Sequence, residues 1–125
     1  APAPDPNWAL FLDIDGTLLD IAPTPDTVHV PQSLPQVLLQ ASAWLGGALA
    51  VVSGRPFEQI DRLLAPLRLP GGAGHGSAIR MPDGKVENAS ESYAVPSEWK
   101  TLLHHAVKLW PGVVVEETPR CSTVH

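Results

Sequence analysis

Apolar and polar residues fall into short blocks that change period along the chain. Trp8 to Ile14 is a mostly apolar run, long enough for a buried strand and too short for a helix. Ile21 to Pro31 holds prolines at 23, 25 and 31 and predicts a stiff, extended loop, because proline removes ladder and helix donors. From Ser33 the period becomes helical, with Leu34, Val37, Leu38, Ala41 and Leu45 on one stripe. Ser33 and Gln36 have capping-box spacing, and Gly46-Gly47 ends the helix. Ala48 to Val52 predicts a second buried strand. Pro56 suits a first helical position, and Phe57, Ile60, Leu63, Leu64 and Leu67 form the next helical face. Pro70-Gly71-Gly72 breaks that helix, and Ala73 to His75 is a short candidate third strand. Strand, helix, strand, helix, strand predicts a parallel sheet with right-handed crossovers.

The pattern changes after Gly76. Ser77–Met81 and Lys85–Asn88 flank a Pro82-Asp83-Gly84 turn and predict a hairpin. A helix is expected from Ser97 to Trp110, with Trp99, Leu102, Leu103, Ala106 and Val107 on one face and Pro111-Gly112 as its stop. Val113–Glu117 and Cys121–His125 read as two strands joined at Thr118-Pro119. The expected division is a core over residues 1–76 and an incomplete α+β cap over 77–125. The fold class is α/β, a partial Rossmann-like parallel sheet followed by the beginning of that cap.

Charge narrows the partners. The net charge is −5 with no basic run, which argues against nucleic acid and against an anionic membrane surface. No apolar stretch is long enough to span a bilayer. The opening Ala-Pro-Ala-Pro-Asp-Pro lacks the basic and apolar segments of a signal peptide. The single cysteine, Cys121, permits no internal disulfide, so a cytoplasmic setting fits.

The chemistry concentrates where the first apolar run ends, at Asp13-Ile14-Asp15-Gly16-Thr17. An Asp-x-Asp-Gly-Thr string arises by chance on the order of once in 10^5 start positions. Residues i and i+2 of a strand face the same side, so both carboxylates stand at the C-terminal edge of the sheet, where open α/β sheets bind ligands. Two facing carboxylates repel unless a cation such as Mg2+ lies between them. One can then attack phosphorus while the other handles the leaving-group proton. Gly16 allows a sharp turn, and Thr17 adds a hydroxyl and an N–H for an oxyanion. The alternative is an ordinary surface turn closing a hairpin, which does not need the apolar lead-in.

Asp-x-Asp-Gly-Thr-Leu resembles the first motif of the haloacid dehalogenase superfamily. The resemblance implies that Asp13 is a nucleophile forming an aspartyl-phosphate and that Asp15 is the general acid/base. Both would help hold Mg2+, Asp15 through its carbonyl. Ser53-Gly54-Arg55, one crossover later, resembles the second motif and implies phosphate binding by Ser53 and Gly54, beside Thr17 of the first motif as a further phosphate-binding candidate. Arg55 either serves the site or merely starts the next helix. His75 and Gly76 end the third candidate strand; a lone histidine is as often packed or solvated as it is functional.

The Pro-rich loop from Ile21 to Pro31, Ser53-Gly54-Arg55, the Gly-x-His-Gly-like segment Ala73–Gly76 and Val115-Glu116-Glu117 through Val124-His125 together resemble the trehalose-6-phosphate phosphatases. That resemblance covers nearly the whole chain after residue 7. It implies a small-molecule sugar phosphate as substrate, with Arg55, His75, Gly76, Glu116 and His125 as candidate contacts. For Glu116 and His125 the alternative is an exposed polar residue on a strand. Two departures stand out. The family's cap lysine falls at Thr118, with Arg120 as a possible replacement. The third-motif lysine and the fourth-motif acidic cluster have no counterpart: the only lysines are Lys85, Lys100 and Lys108, all in the expected cap. The expectation is therefore the N-terminal portion of a phosphatase, inactive alone. Other readings are a sucrose-phosphate or mannosylglycerate phosphatase, a phosphomutase, or a non-catalytic fragment acting as an interaction module.

Overall fold

A computed structural model describes residues 3–22, 27–88, 95–117 and 121–124. Two compact units divide between Asn88 and Ala89.

The first unit contains β1 (Leu10–Asp13), α1 (Leu34–Trp44), β2 (Leu49–Val52), α2 (Phe57–Leu63), β3 (Gly71–Ala73), β4 (Ala78–Arg80) and β5 (Val86–Asn88). Its five strands form one sheet in the order β1-β2-β3-β4-β5. β1, β2 and β3 run parallel, with Leu10 opposite Leu49, Asp13 opposite Val52, and Val52 opposite Gly72. The expected parallel α/β pattern is present. β4 and β5 add to it as an antiparallel hairpin, with Ala73 opposite Ala78. The ladder from β3 to β4 keeps the hairpin in this sheet. The compact units therefore divide later than the boundary after Gly76 expected from the sequence pattern.

The alternation of β2 sets the layers. Leu49 and Val51 are buried, while Val52 is half exposed. Leu49, Val51 and Ala73 join Leu38 and Leu45 around α1 and Phe57, Ile60 and Leu64 around α2 in one core. Two right-handed crossovers that step in the same direction place both helices on one face. The opposite face carries Phe11, Val52 and Ile79 with half or more of their surface exposed, in an open apolar trough.

Several local expectations shift. β1 is shorter than the Trp8–Ile14 run. Ser33 is the N-cap of α1, yet its side chain makes no capping hydrogen bond. Capping needs an extended backbone at that residue; Ser33 is already helical, at φ −78° and ψ −18°, and the Leu34 N–H donates to the Pro31 carbonyl instead. Pro56 precedes α2 as its N-cap, in extended conformation, and is not its first helical residue. β3 lies two residues before the predicted Ala73–His75 strand because Gly71 is part of it. A side chain at Gly71 would collide with the Val51 carbonyl oxygen, so glycine here permits the close strand approach. His75 lies beyond β3 in a turn.

The second unit contains α3 (Ser97–Val107), β6 (Val115–Glu117) and β7 (Ser122–Val124). β6 and β7 form an antiparallel two-stranded sheet with Glu116 opposite Thr123. α3 ends before the expected Trp110, the chain continuing through i→i+3 turns from Ala106 to Leu109 and from Val107 to Trp110. His104 Nε2 on α3 lies 2.9 Å from Glu117 Oε1 on β6, and Lys100 Nζ lies 3.8 Å from Glu117 Oε2. Trp99 and Leu102, expected on a buried face, are largely exposed, and no residue of α3 is buried. Among the described residues no helix is long and apolar enough to cross a membrane.

Candidate active site

The first carboxylate is the last residue of β1. Asp13 Oδ1 accepts the Ile14 N–H at 2.8 Å, which orients the carboxylate and leaves Oδ2 outside that bond. Ile14 follows with no exposed surface. Its side chain belongs to the core, and its carbonyl accepts the N–H groups of Leu18 at 3.0 Å and Leu19 at 2.9 Å. The chain can then fold back only through Gly16, at φ +82°, whose N–H donates to the Leu19 carbonyl at 2.7 Å. Asp15 is thus held in a tight loop directly after a buried anchor. Thr17 is exposed on the same loop, its N–H 3.4 Å from the Ile14 carbonyl.

Register brings the second motif alongside. Asp13 pairs with Val52, so Ser53 begins one residue past the nucleophile candidate on the neighbouring strand. Ser53 is buried, and its N–H donates to the Gly72 carbonyl at 3.0 Å. Its hydroxyl oxygen accepts the Arg55 N–H at 3.1 Å, which leaves the hydroxyl proton as a donor. Gly54 is overlaid by an imidazole: a side-chain Cβ there would stand 2.5 Å from His75 Cε1. His75 has φ +54°, between Gly74 and Gly76 that are also left-handed. Non-glycine residues seldom adopt this conformation, and here flanking bonds impose it. Gly74 N–H donates to the Arg55 carbonyl at 3.0 Å, and Gly76 N–H to the Ala73 carbonyl at 3.1 Å.

Asp13, Ser53, Gly54, His75 and Gly76 therefore line one shallow depression of about 380 Å³, together with Phe11 and Val52. Sequence reasoning did not single out Phe11 and Val52; for Val52, its place between buried Val51 and Ser53 was the available signal. Arg55 is next to this depression in sequence, and its guanidinium grips Asp15. Nε donates to Asp15 Oδ2 at 2.8 Å, Nη2 to Oδ1 at 2.7 Å, and Nη1 to Gln59 Oε1 at 3.3 Å. Gln59 is a further residue that sequence reasoning missed, one helical turn beyond Arg55. Glu116 lies exposed on β6 in the second unit. His125, with Thr118 and Arg120, lies outside the described residues.

The donor set around Asp13 is hard oxygen, the chemistry that suits Mg2+. Such an ion commonly takes one or two carboxylates, waters and the substrate's phosphate. No cluster of three or more His, Cys, Asp or Glu residues gathers among the described residues.

The trehalose-phosphatase family model matches residues 11–125. The chain is 48% identical over 119 residues to a probable trehalose-phosphate phosphatase of Sinorhizobium fredii, across 95% of this chain and 44% of that protein. It is 34% identical over 119 residues to the trehalose-6-phosphate phosphatase of Escherichia coli, across 95% of this chain and 45% of the relative. Its fold matches the C-terminal domain of the C. albicans trehalose-6-phosphate phosphatase with a TM-score of 0.72 at 21% identity, across 93% of this chain and 41% of that one. The chain spans less than half the length of each of these proteins.

Proposed function

Because the chain belongs to the trehalose-phosphatase family, we propose that its residues supply the nucleophile and phosphate-binding part of a sugar-phosphate phosphatase. The proposed substrate of the whole protein is trehalose 6-phosphate, and the products are trehalose and inorganic phosphate. One observation carries the reading. Asp13 and Ser53 leave adjacent parallel strands side by side, with His75 over Gly54 closing the same depression.

The chemistry follows from those positions. Asp13 Oδ2 attacks phosphorus, the phosphorus–ester oxygen bond breaks, and Asp15 gives its proton to the departing sugar oxygen. Water then attacks the aspartyl-phosphate while Asp15 takes the water proton. The Asp13–phosphorus bond breaks, and phosphate leaves with Asp13 regenerated. The Ser53 hydroxyl and the backbone beside Gly54 hold phosphate oxygens, with Thr17 as a further proposed phosphate contact. Asp13 and the Asp15 carbonyl would hold Mg2+, which when bound offsets the charge of the phosphate oxygens. His75 and Gly76 border the phosphate, and Glu116 and His125 are proposed sugar contacts.

The test is product analysis with the whole protein, expressed from its complete reading frame and assayed with Mg2+. Trehalose and free phosphate should appear from trehalose 6-phosphate faster than glucose and phosphate from glucose 6-phosphate. Asp13→Asn should abolish turnover without lowering the melting temperature, because the amide does not attack phosphorus. Equal turnover of the two sugars would remove the substrate assignment. An isomeric sugar phosphate as product would replace the hydrolase with a mutase, and near-normal activity of Asp13→Asn would refute the mechanism.

A further inference from the structure

Arg55 stands beside a phosphate-binding motif, where an arginine fork is expected to face the phosphate. Its geometry is otherwise. The side chain is only 11% exposed, and both arms that could form a fork end on the two oxygens of Asp15. The third guanidinium nitrogen reaches Gln59 on α2. The backbone of Arg55 is equally committed: its N–H goes to the Ser53 hydroxyl and its carbonyl takes the Gly74 N–H. One residue therefore links the Asp15 loop, the Ser53 turn and the loop that carries His75.

We propose that Arg55 is a positioning residue for Asp15 and not a ligand of the substrate phosphate. This rests on the reading of Asp15 as the group that passes a proton to the leaving oxygen. An exposed carboxylate on a loop samples several rotamers. A two-point grip from a side chain that is itself fixed by Gln59 selects one. Proton delivery needs the donor within hydrogen-bond reach of the departing atom, and a small misplacement costs much of the rate. Lysine does not reproduce the grip, because an ammonium is a point charge without a planar fork.

The consequence is a dependence on the leaving group. A sugar alkoxide needs a proton as it departs, whereas a nitrophenolate departs without one. In the whole protein, Arg55→Met should lower kcat for the sugar phosphate by about 100-fold or more, the scale of general acid catalysis, with KM little changed. The first-turnover burst of nitrophenolate from p-nitrophenyl phosphate should slow by less than about tenfold, since the nucleophile and phosphate site are intact and that departure needs no proton, while its later turnovers slow because Asp15 also takes the water proton. Arg55→Lys should behave like Arg55→Met, and it guards against a Met variant that does not fold. Equal losses for both substrates with a raised KM would show Arg55 to be a phosphate ligand and overturn the proposal. No loss for either would show the pair to be idle and overturn it as well.

A crystal structure of the variant decides the matter without turnover. The Asp15 carboxylate should leave its place while Ser53 stays, and an unmoved Asp15 would refute the positioning role. If the unaltered protein hydrolyses neither substrate, the proposed function fails, and the crystallographic result still stands or falls by itself.

Discussion

Arg80 and Asp61 allow a quantitative test of what holds the five-stranded sheet to α2. Arg80 on β4 is 6% exposed, and its guanidinium is fully engaged. Nη2 and Nη1 donate to Asp61 Oδ1 and Oδ2 on α2 at 2.7 and 2.9 Å, and Nε donates to the Leu69 carbonyl at 2.9 Å. The guanidinium carbon also sits 4.2 Å from the centroid of the Phe57 ring. Removing one member of a buried ion pair costs about 3–5 kcal/mol, because the other charge is left uncompensated. The two ends are not equivalent. Asp61 keeps 20% of its side-chain surface and has Arg68 Nε at 3.6 Å as a second cation. Arg80→Met should therefore fall at the lower end, about 3 kcal/mol, and it also strands the Leu69 carbonyl. Asp61→Leu leaves a nearly inaccessible guanidinium without its carboxylate and should cost about 4 kcal/mol. Replacing both with apolar side chains removes the stranded charge. Asp61→Leu/Arg80→Met should thus be more stable than either single variant. Urea unfolding of the whole protein, followed by tryptophan fluorescence and circular dichroism, measures all three. Losses below about 1 kcal/mol for both single variants would show that the pair is solvated in practice and refute the reasoning.

Two further outcomes follow from the first unit. Gly54→Ala places a methyl against the His75 ring, whose flexible end can swing away. The melting temperature should hold within a few degrees while kcat/KM for the sugar phosphate falls by more than about tenfold as the depression is reshaped; an unchanged kcat/KM would remove His75 and Gly54 from the site. The 125-residue chain expressed alone should self-associate in sedimentation and show no phosphatase activity, because β1 is an edge strand of the described sheet beside exposed Phe11 and Val52. A monomer that hydrolyses sugar phosphates would refute both parts.

The positions of most elements were legible because burial leaves a period. Leu49 and Val51 alternate with less buried neighbours, and Phe57, Ile60 and Leu64 recur at helical spacing along the buried face of the second helix. What failed was local chemistry overruled by packing. Gly71 reads as a breaker, yet β3 needs it, since only a residue without a side chain can lie against the Val51 carbonyl. Ser33 has the right spacing for a capping box and the wrong backbone to use it. The hairpin after Gly76 carries no mark saying which sheet it joins; the β3–β4 ladder decides that. At the site, the clustering of Asp13, Ser53 and His75 was readable from strand ends. The partner of Arg55 was not, because Asp15 lies 40 residues away and nothing in either motif names the other.

Ile14 has a consequence of a different kind. It separates the two carboxylates, has no exposed surface, and belongs to the same core as Leu38, Val51 and Ile60. Under the mechanism proposed above, the placement of Asp13 as nucleophile against Asp15 as proton donor therefore depends on how tightly this aliphatic side chain is packed between them. At this one position stability and catalysis share a single degree of freedom. A change that loosens the interior also detunes the chemistry, so an engineer cannot adjust the robustness of the fold here and leave the reaction untouched.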